Sequence, residues 1–128
     1  MLFRFLLWVL AFRIDSLAKK NEGFKNVIKD YEHVVLQFKT ADKKVQRYYS
    51  FQSGKTSSKG TVHTNPTIAF VFKNAKSAMQ LIKKMGENPD DKTIFIYGIR
   101  DGDIKIEGDM AYMTWFQAIS KYFGPEEK

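Results

Sequence analysis

The chain has 128 residues, a formal net charge of +7, no cysteine, and an aromatic share of 15% that includes 11 phenylalanines. The lack of cysteine excludes disulfides, thiolate nucleophiles and cysteine metal sites, and it fits a reducing, cytoplasmic compartment. The length predicts one domain, residues 1–128, with a sizeable core, and the charge favours anionic partners such as phospholipid head groups or nucleic acid.

The N-terminal segment, residues 1–20, is unusually apolar. Its longest uninterrupted apolar run, from Phe5 to Phe12, is far shorter than the ~20 residues that a membrane-spanning helix needs. The charged residues that follow the run do not fit the cleavage site of a signal peptide. A helical wheel places two apolar faces on the segment. One comprises Phe3, Leu6, Leu7, Leu10, Ala11, Ile14, Leu17 and Ala18, and the other comprises Phe5, Trp8, Val9 and Phe12.

Two apolar faces on one short helix predict two contacts. The first face is suited to docking on the core of the domain. The second, formed by Phe5, Trp8, Val9 and Phe12, indicates contact with a membrane interface, with a second copy in a homodimer, or with a lipid tail. The alternative is that this terminus packs within its own domain.

Three strands are predicted after a short second helix. Asn21-Glu22-Gly23 is predicted to end the first helix with C-cap chemistry, and residues 24–31 repeat at helical spacing. Residues 34–39 and 45–51 alternate as strands do, and residues 56–62 are polar enough to predict an exposed edge strand.

The next segment is predicted to be a buried strand followed by a helix. Residues 67–72 carry apolar side chains on both faces, which places this strand inside a sheet. Asn74 is predicted to cap a helix over residues 75–85 that ends at Gly86. Residues 93–97 fit either a strand or a short helix, because so short a run shows no clear period.

The C-terminal part combines a strand with an aromatic helix. Residues 104–107 alternate as a half-buried strand, and Gly108-Asp109 breaks it. Asp109 is predicted to cap a helix that begins at Met110 and ends at Gly124-Pro125. One arc of this helix is apolar and needs a sheet to cover: Ala111, Tyr112, Trp115, Phe116, Ala118, Ile119, Tyr122 and Phe123.

Short motifs give no case for an enzyme, a metal site or a cofactor. Gly54-Lys55-Thr56 lacks the first glycine and the following helix of a phosphate-binding loop. Asp101-Gly102-Asp103 begins like a calcium loop but continues with residues that cannot serve as its ligands, so a β-turn is expected. His33 and His63 have no second ligand at helical spacing and are expected to be structural. No nucleophile elbow or carboxylate pair stands out.

Nucleic-acid binding is not favoured despite the charge. Arg47, Tyr48, Tyr49 and Phe51 resemble the exposed aromatic and basic residues of RNA-binding sheets. The basic residues are nevertheless spread over every predicted element instead of forming one stripe. We therefore expect no nucleic-acid partner.

Two motifs resemble the sterol carrier protein type 2 (SCP2-like) family. The first is Asp101-Gly102-Asp103-Ile104-Lys105-Ile106-Glu107-Gly108-Asp109-Met110, and the second is Asn65-Pro66-Thr67-Ile68-Ala69-Phe70-Val71-Phe72 with the helix after it. In this order and spacing they cover residues 34–123. The resemblance implies that residues 93–97 belong to a short helix. It also implies a non-enzymatic domain that holds a fatty acid, an acyl-CoA or a sterol-like lipid in an apolar tunnel.

The predicted fold is α+β, with a mainly antiparallel sheet of about five strands covered on one face by helices. Residues 1–23 are the apolar N-terminal helix and residues 24–123 the core. Methionines suit irregular apolar ligands, although they also fill gaps in ordinary cores. The resemblance favours a tunnel between sheet and helices. The residues predicted to line it are Phe70, Phe72, Met79, Ile82, Met85, Met110, Met113, Phe116 and Ile119.

The N-terminal helix departs from the SCP2-like pattern because it is longer and more apolar than expected. The sequence therefore does not decide whether this helix plugs the predicted tunnel or leaves it empty. The predicted function is lipid binding with transfer, by a protein in the cytoplasm or peripheral at a membrane. The alternative is a membrane-surface or oligomerising module without a small-molecule ligand.

Overall fold

A computed structural model describes residues 2–88, 91, 93–120 and 122–123. The predicted helix end at Gly124-Pro125 lies outside these residues. The elements are, in chain order, α1 (Leu2–Lys20), α2 (Glu22–Lys29), β1 (His33–Thr40), β2 (Gln46–Gln52), β3 (Lys55–Lys59), β4 (Ile68–Phe72), α3 (Ala75–Glu87), α4 (Thr93–Arg100), β5 (Ile104–Gly108), a 3₁₀ turn (Met110–Tyr112) and α5 (Met113–Ser120).

The strands within the described residues form one mixed sheet in the order β3-β2-β1-β4-β5. β1 and β4 are parallel, and the other neighbouring pairs are antiparallel. The predicted α+β class with a mainly antiparallel sheet is therefore confirmed. β4, with apolar residues on both faces, lies inside the sheet as predicted, and the polar β3 lies at its edge.

The two faces of the sheet are covered differently. Aromatic side chains of helices pack on one face, where Phe51 contacts Trp115 and Phe70 contacts Phe116 at ring-centroid distances of 5.1 and 4.4 Å. On the other face, the fully buried Gln37 accepts a hydrogen bond from the His63 backbone N–H at 2.8 Å. Helices thus cover one face, as predicted, and the loop that leads from β3 to β4 crosses the other.

Helix α1 is fastened along the helix-covered side of the domain. Its buried face comprises Phe3, Leu7, Ile14 and Leu17. The Tyr49 hydroxyl donates to the Leu7 carbonyl, and the Arg13 guanidinium donates to the Tyr122 carbonyl at 3.2 Å. The Thr56 hydroxyl also donates to the Asp15 carboxylate at 3.2 Å. The predicted division of α1 into a buried and an outward face is confirmed.

One predicted helix end was right and another was wrong. As predicted, α1 ends before Asn21, whose N–H bonds the Leu17 carbonyl at 2.9 Å. Asn21 is also the N-cap of α2, because its side-chain oxygen accepts from the Phe24 backbone N–H at 3.0 Å. Gly86 does not end α3, because the helix continues to Glu87 and the Asn88 N–H still bonds the Lys84 carbonyl. Residues 93–97 are helical, within α4.

Tyr49 provides a test of how α1 is held. Burial raises the pKa of its hydroxyl above the ordinary tyrosine value. The unfolded chain therefore loses this proton first, and stability should fall as the pH rises through about 10, the unfolded tyrosine value. Tyr49→Phe should remove this contribution to the loss of stability at alkaline pH. At neutral pH it should lower the free energy of unfolding by about 0.5–1.5 kcal/mol, because the hydrogen bond is lost. Urea melts at pH 7 and pH 10.5 measure both effects, and equal pH sensitivity of the two proteins would contradict the assignment.

Candidate functional site

An aromatic cluster on β4 lies between α4 and α5. The ring of Phe70 contacts Phe95 of α4 at 6.1 Å and Phe116 of α5 at 4.4 Å between centroids. Phe70 is 1% exposed, whereas Phe95 and Phe116 are partly buried. Phe95 and Phe116 thus form the less buried border of the cluster.

An open apolar cleft of about 420 Å³ lies beside this cluster, and we call it the α4–β5 cleft. Its lining residues come from α4, the turn after it, β5 and the 3₁₀ turn: Ile99, Gly102, Ile104, Lys105, Ile106 and Met110. The strand register places Ile104 opposite Phe72 and Ile106 opposite Phe70. Because side chains on one face of a strand recur every second residue, both isoleucines share the face of Phe70. The cleft thus adjoins the aromatic cluster.

Local sequence explains how the cleft is built. Gly98 lets α4 approach closely, since a Cβ there would lie 3.2 Å from a methyl carbon of Leu81 and 3.4 Å from one of Ile104. On the other side, the Asp109 carboxylate accepts from the Ala111 N–H at 2.9 Å and caps the 3₁₀ turn. This cap fixes Met110 at the rim.

The structure brings together some of the predicted ligand-binding residues and separates others. Phe70 and Phe116 are in contact, and Met110 is 56% exposed at the rim of the cleft. Phe72 instead contacts Phe3 of α1 at 5.4 Å between centroids. Ile119 is fully buried. The remaining predicted residues are the partly buried Met79, Ile82 and Met113 and the exposed Met85.

Sequence reasoning missed four residues of this region: Phe95, Ile99, Ile104 and Ile106. The alternation in β5 already assigned Ile104 and Ile106 to one apolar face, and that signal was enough to propose them. Phe95 and Ile99 could not be predicted as part of this region without knowing that their segment is a helix and which side of it faces the sheet.

Helix α1 fills part of the space in which the tunnel was expected. Phe3 and Leu7 are 1% and 3% exposed, and both belong to the same buried cluster as Phe38, Phe70 and Phe72. Side chains of α1 thus occupy the part of the helix-covered face near Phe72. The α4–β5 cleft lies on the other side of Phe70, where Ile106 of β5 pairs with it.

Lys105 is the charged residue among those that line the cleft, and other charged residues follow or precede lining residues in the chain. Lys105 is exposed on its lining, and the neighbouring Glu107 pairs with Lys39 across the sheet at 3.5 Å. The Arg100 guanidinium lies 4.5 Å above the Tyr97 ring and 3.0 Å from the Asp101 carboxylate. A single ammonium group at the rim is suited to an acidic head group whose tail lies in the cleft.

The described residues explain the motifs that were judged structural. Ser53 and Gly54 form the β2–β3 hairpin turn, and Lys55 begins β3. The His63 ring packs edge-on against Tyr48 at 4.9 Å. Among the described residues there is no group of three or more His, Cys, Asp or Glu side chains suited to a metal ion. In that same part of the chain, no helix has both the length and the apolar character needed to cross a membrane.

Solved structures with similar folds were found, although no family model and no curated protein matches the chain. A ubiquinone synthesis protein, UbiJ-SCP2, is 16% identical with a TM-score of 0.61, and the match covers 93% of this chain and 98% of that one. Sterol carrier protein domain 2 of Helicoverpa armigera is 17% identical, with a TM-score of 0.56 and coverages of 94% and 89%.

A third similar structure is a conserved hypothetical protein of Thermus thermophilus, described as possibly a sterol carrier protein. It is 10% identical, with a TM-score of 0.56 and coverages of 94% and 90%. Identities this low establish the fold alone. The chain therefore has the SCP2-like fold that its two sequence motifs predict.

Proposed function

We propose that the chain binds an elongated lipid without catalysis and that the α4–β5 cleft is where the apolar part of the lipid enters. The observation that carries this proposal is the position of the cleft, whose lining residues Ile104 and Ile106 pair with the strand that holds Phe70. Its volume falls within the range of about 300–1,000 Å³ typical of small-molecule pockets. The SCP2-like fold supports a lipid ligand because two of the similar structures carry the sterol carrier name.

Apolar burial supplies the driving force. Each methylene group taken from water into the cleft contributes about 0.8 kcal/mol, so ten methylenes contribute about 8 kcal/mol before the cost of association. This term is insensitive to the detailed shape of the lipid. Fatty acids, acyl-CoA and sterol-like lipids are therefore all candidate ligands, and Lys105 gives acidic head groups a modest advantage.

Entry of a lipid requires the partly buried side chains Ile106, Met113 and Phe116 to move apart. Methionine is suited to this because its unbranched side chain adopts many shapes at small cost. A more specific form of the proposal is that the protein transfers the bound lipid between membranes. It requires that the bound lipid leave by the same opening, and it accords with a cytoplasmic protein that acts at membrane surfaces.

Met110→Asp tests the cleft directly. The side chain is mostly exposed, so the fold should tolerate aspartate, but a carboxylate at the rim disfavours an apolar or anionic ligand. We expect titration with a pyrene-labelled fatty acid to show affinity at least about tenfold weaker, which corresponds to about 1.4 kcal/mol. The matched control is Val62→Asp, an exposed apolar residue of the loop on the opposite sheet face.

Two outcomes would overturn the proposal. If the unaltered protein shows no saturable binding of the acyl probe or of a fluorescent sterol, lipid binding is excluded. If Met110→Asp and Val62→Asp weaken binding equally, a lipid binds elsewhere. The alternative function, an interaction module without a small ligand, has its own supporting observation in the outward face of α1.

A further inference from the structure

The outward face of α1 carries a continuous apolar stripe. The N-terminal stripe, as we call it, consists of Leu2, Phe5, Trp8, Val9 and Phe12, which are 67%, 58%, 47%, 40% and 60% exposed. The rings of Phe5 and Trp8 lie 6.0 Å apart, and those of Trp8 and Phe12 lie 4.8 Å apart in an edge-on arrangement. At 1.5 Å per residue, the stripe is about 15 Å long.

The stripe is held on the outside of the domain. The opposite face of α1 is buried through Phe3, Leu7, Ile14 and Leu17, and hydrogen bonds hold the helix at Arg4, Leu7, Arg13 and Asp15. Rotating the helix to hide the stripe would expose the buried face and break these contacts. The stripe is therefore a fixed surface that the described part of the chain leaves uncovered.

Positive charge surrounds the stripe. At 100° per residue, Arg4 and Arg13 lie on opposite flanks of it, and residues 2–14 contain no acidic side chain. The Arg4 guanidinium donates to the Lys44 carbonyl, which brings the exposed Lys43 and Lys44 to the N-terminal end of α1. The one acidic side chain of α1, Asp15, is paired with Lys19 at 3.0 Å.

We propose that the N-terminal stripe docks the protein on a bilayer that contains anionic lipid. Trp8, Phe5 and Phe12 would lie at the level of the head groups and upper acyl chains, where amphipathic helices insert. The exposed Lys43 and Lys44 would reach outward to lipid phosphates. Arg4 and Arg13 stay bonded to backbone carbonyls and would add to the positive potential that faces the bilayer. This role needs no lipid in the α4–β5 cleft and so goes beyond the proposed function.

A second copy of the chain fits the stripe less well. Antiparallel pairing centred between Trp8 and Val9 places Arg4 of one copy opposite Arg13 of the other, and parallel pairing places each arginine near its own counterpart. Either arrangement gathers like charges around the contact, which is unfavourable at close range. An anionic bilayer turns the same charges into an attraction.

Tryptophan fluorescence gives a direct test on the whole protein. Of the two tryptophans, Trp115 is 1% exposed and Trp8 is 47% exposed, so Trp8 is the one that a change of surroundings affects. We expect a blue shift on vesicles of equal parts phosphatidylcholine and phosphatidylglycerol, and quenching when those lipids are brominated. The shift should be smaller on phosphatidylcholine alone or in about 1 M salt, where the screening length is about 3 Å. Trp8→Phe should remove it.

Paired variants locate the contact while keeping Trp8 as the reporter. Phe5→Ser with Phe12→Ser should weaken vesicle binding by at least about tenfold, because two aromatic side chains no longer enter the bilayer. Ile96→Ser with Tyr97→Ser, which removes residues 58% and 49% exposed on α4, is the matched control and should bind as the unaltered protein does. Lys43→Gln with Lys44→Gln should weaken binding only on the anionic vesicles.

Three results would overturn the proposal. One is the absence of a shift or quenching on anionic vesicles. Another is an equal loss of vesicle binding in the α1 and α4 double variants. The third is a blue shift without vesicles that grows with protein concentration together with a doubled mass in sedimentation equilibrium, which would assign the stripe to a second copy. The quenching of the unaltered protein decides the question even if a variant folds poorly.

Discussion

Gly108→Ala is expected to lower the free energy of unfolding by about 2–6 kcal/mol. Gly108 ends β5 with a φ of +96°, and a Cβ there would lie 2.5 Å from the Thr67 carbonyl oxygen and 3.1 Å from the Ile68 Cα. The strained backbone costs about 1–3 kcal/mol. The clash adds a similar amount, since both contacts are with backbone that a side-chain rotation cannot move away.

Gly54→Ala is the matched control for this substitution. Gly54 has a similar φ of +83°, but nothing lies within 4 Å of the position that its Cβ would take. It should therefore show the cost of backbone strain alone, about 1–3 kcal/mol. Urea melts of the two variants give the difference that is due to the close approach of β5 and β4. Equal losses would contradict the explanation.

Gly108 also shows what the sequence could and could not predict. The pair Gly108-Asp109 was correctly taken as the end of a strand and as a cap, since both are local features. Asp109 caps a 3₁₀ turn, however, and α5 begins at Met113 instead of at Met110 as predicted. The reason for glycine lies some forty residues earlier in the chain, at the start of the neighbouring strand β4. The carbonyl of Thr67, the residue before β4, accepts from the Asp109 N–H at 2.9 Å. Only the paired sheet reveals that contact.

Most of the fold was predictable because its signals are periodic and long. Helix α1 repeats its apolar pattern over nineteen residues, and the wheel assigned both of its faces. The uncertain places were those where signals were short. Gly86 did not end α3 as predicted, and residues 93–97 were too few for periodicity to distinguish a strand from the helix α4.

The candidate site was predictable only in part, because it depends on which element covers which residue. Phe70 and Phe72 lie on the same face of one strand, and no local signal separates them. Helix α1 covers Phe72 through Phe3, whereas the region between α4 and α5 covers Phe70. Of the residues expected to line a tunnel, Phe72 is thus covered by the N-terminal helix, whereas Phe70 lies beside the cleft.

The environment of Phe116 distinguishes a packed interior from one that can open. Its ring lies 4.4 Å from that of Phe70, 6.2 Å from Phe38 and 6.4 Å from Phe123. Phe116→Ala should therefore cost about 3 kcal/mol, at the lower end of the range for a buried phenylalanine because the side chain is partly exposed. A cost of about 1–2 kcal/mol would instead mean that Phe116 already borders a cavity.

The same variant tests lipid binding through stability. Removing the ring leaves an apolar space beside the α4–β5 cleft, and such spaces take up apolar molecules. At about 100 times its dissociation constant, a bound fatty acid should restore about 2.7 kcal/mol to Phe116→Ala. Trp115→Ala, on the same helix but packed against Phe51 and Tyr31, should lose about 3–5 kcal/mol and gain no more from the fatty acid than the unaltered protein does. If the fatty acid stabilised the two variants to the same extent, the acyl chain would not lie beside Phe116, and the α4–β5 cleft would lose its assigned role.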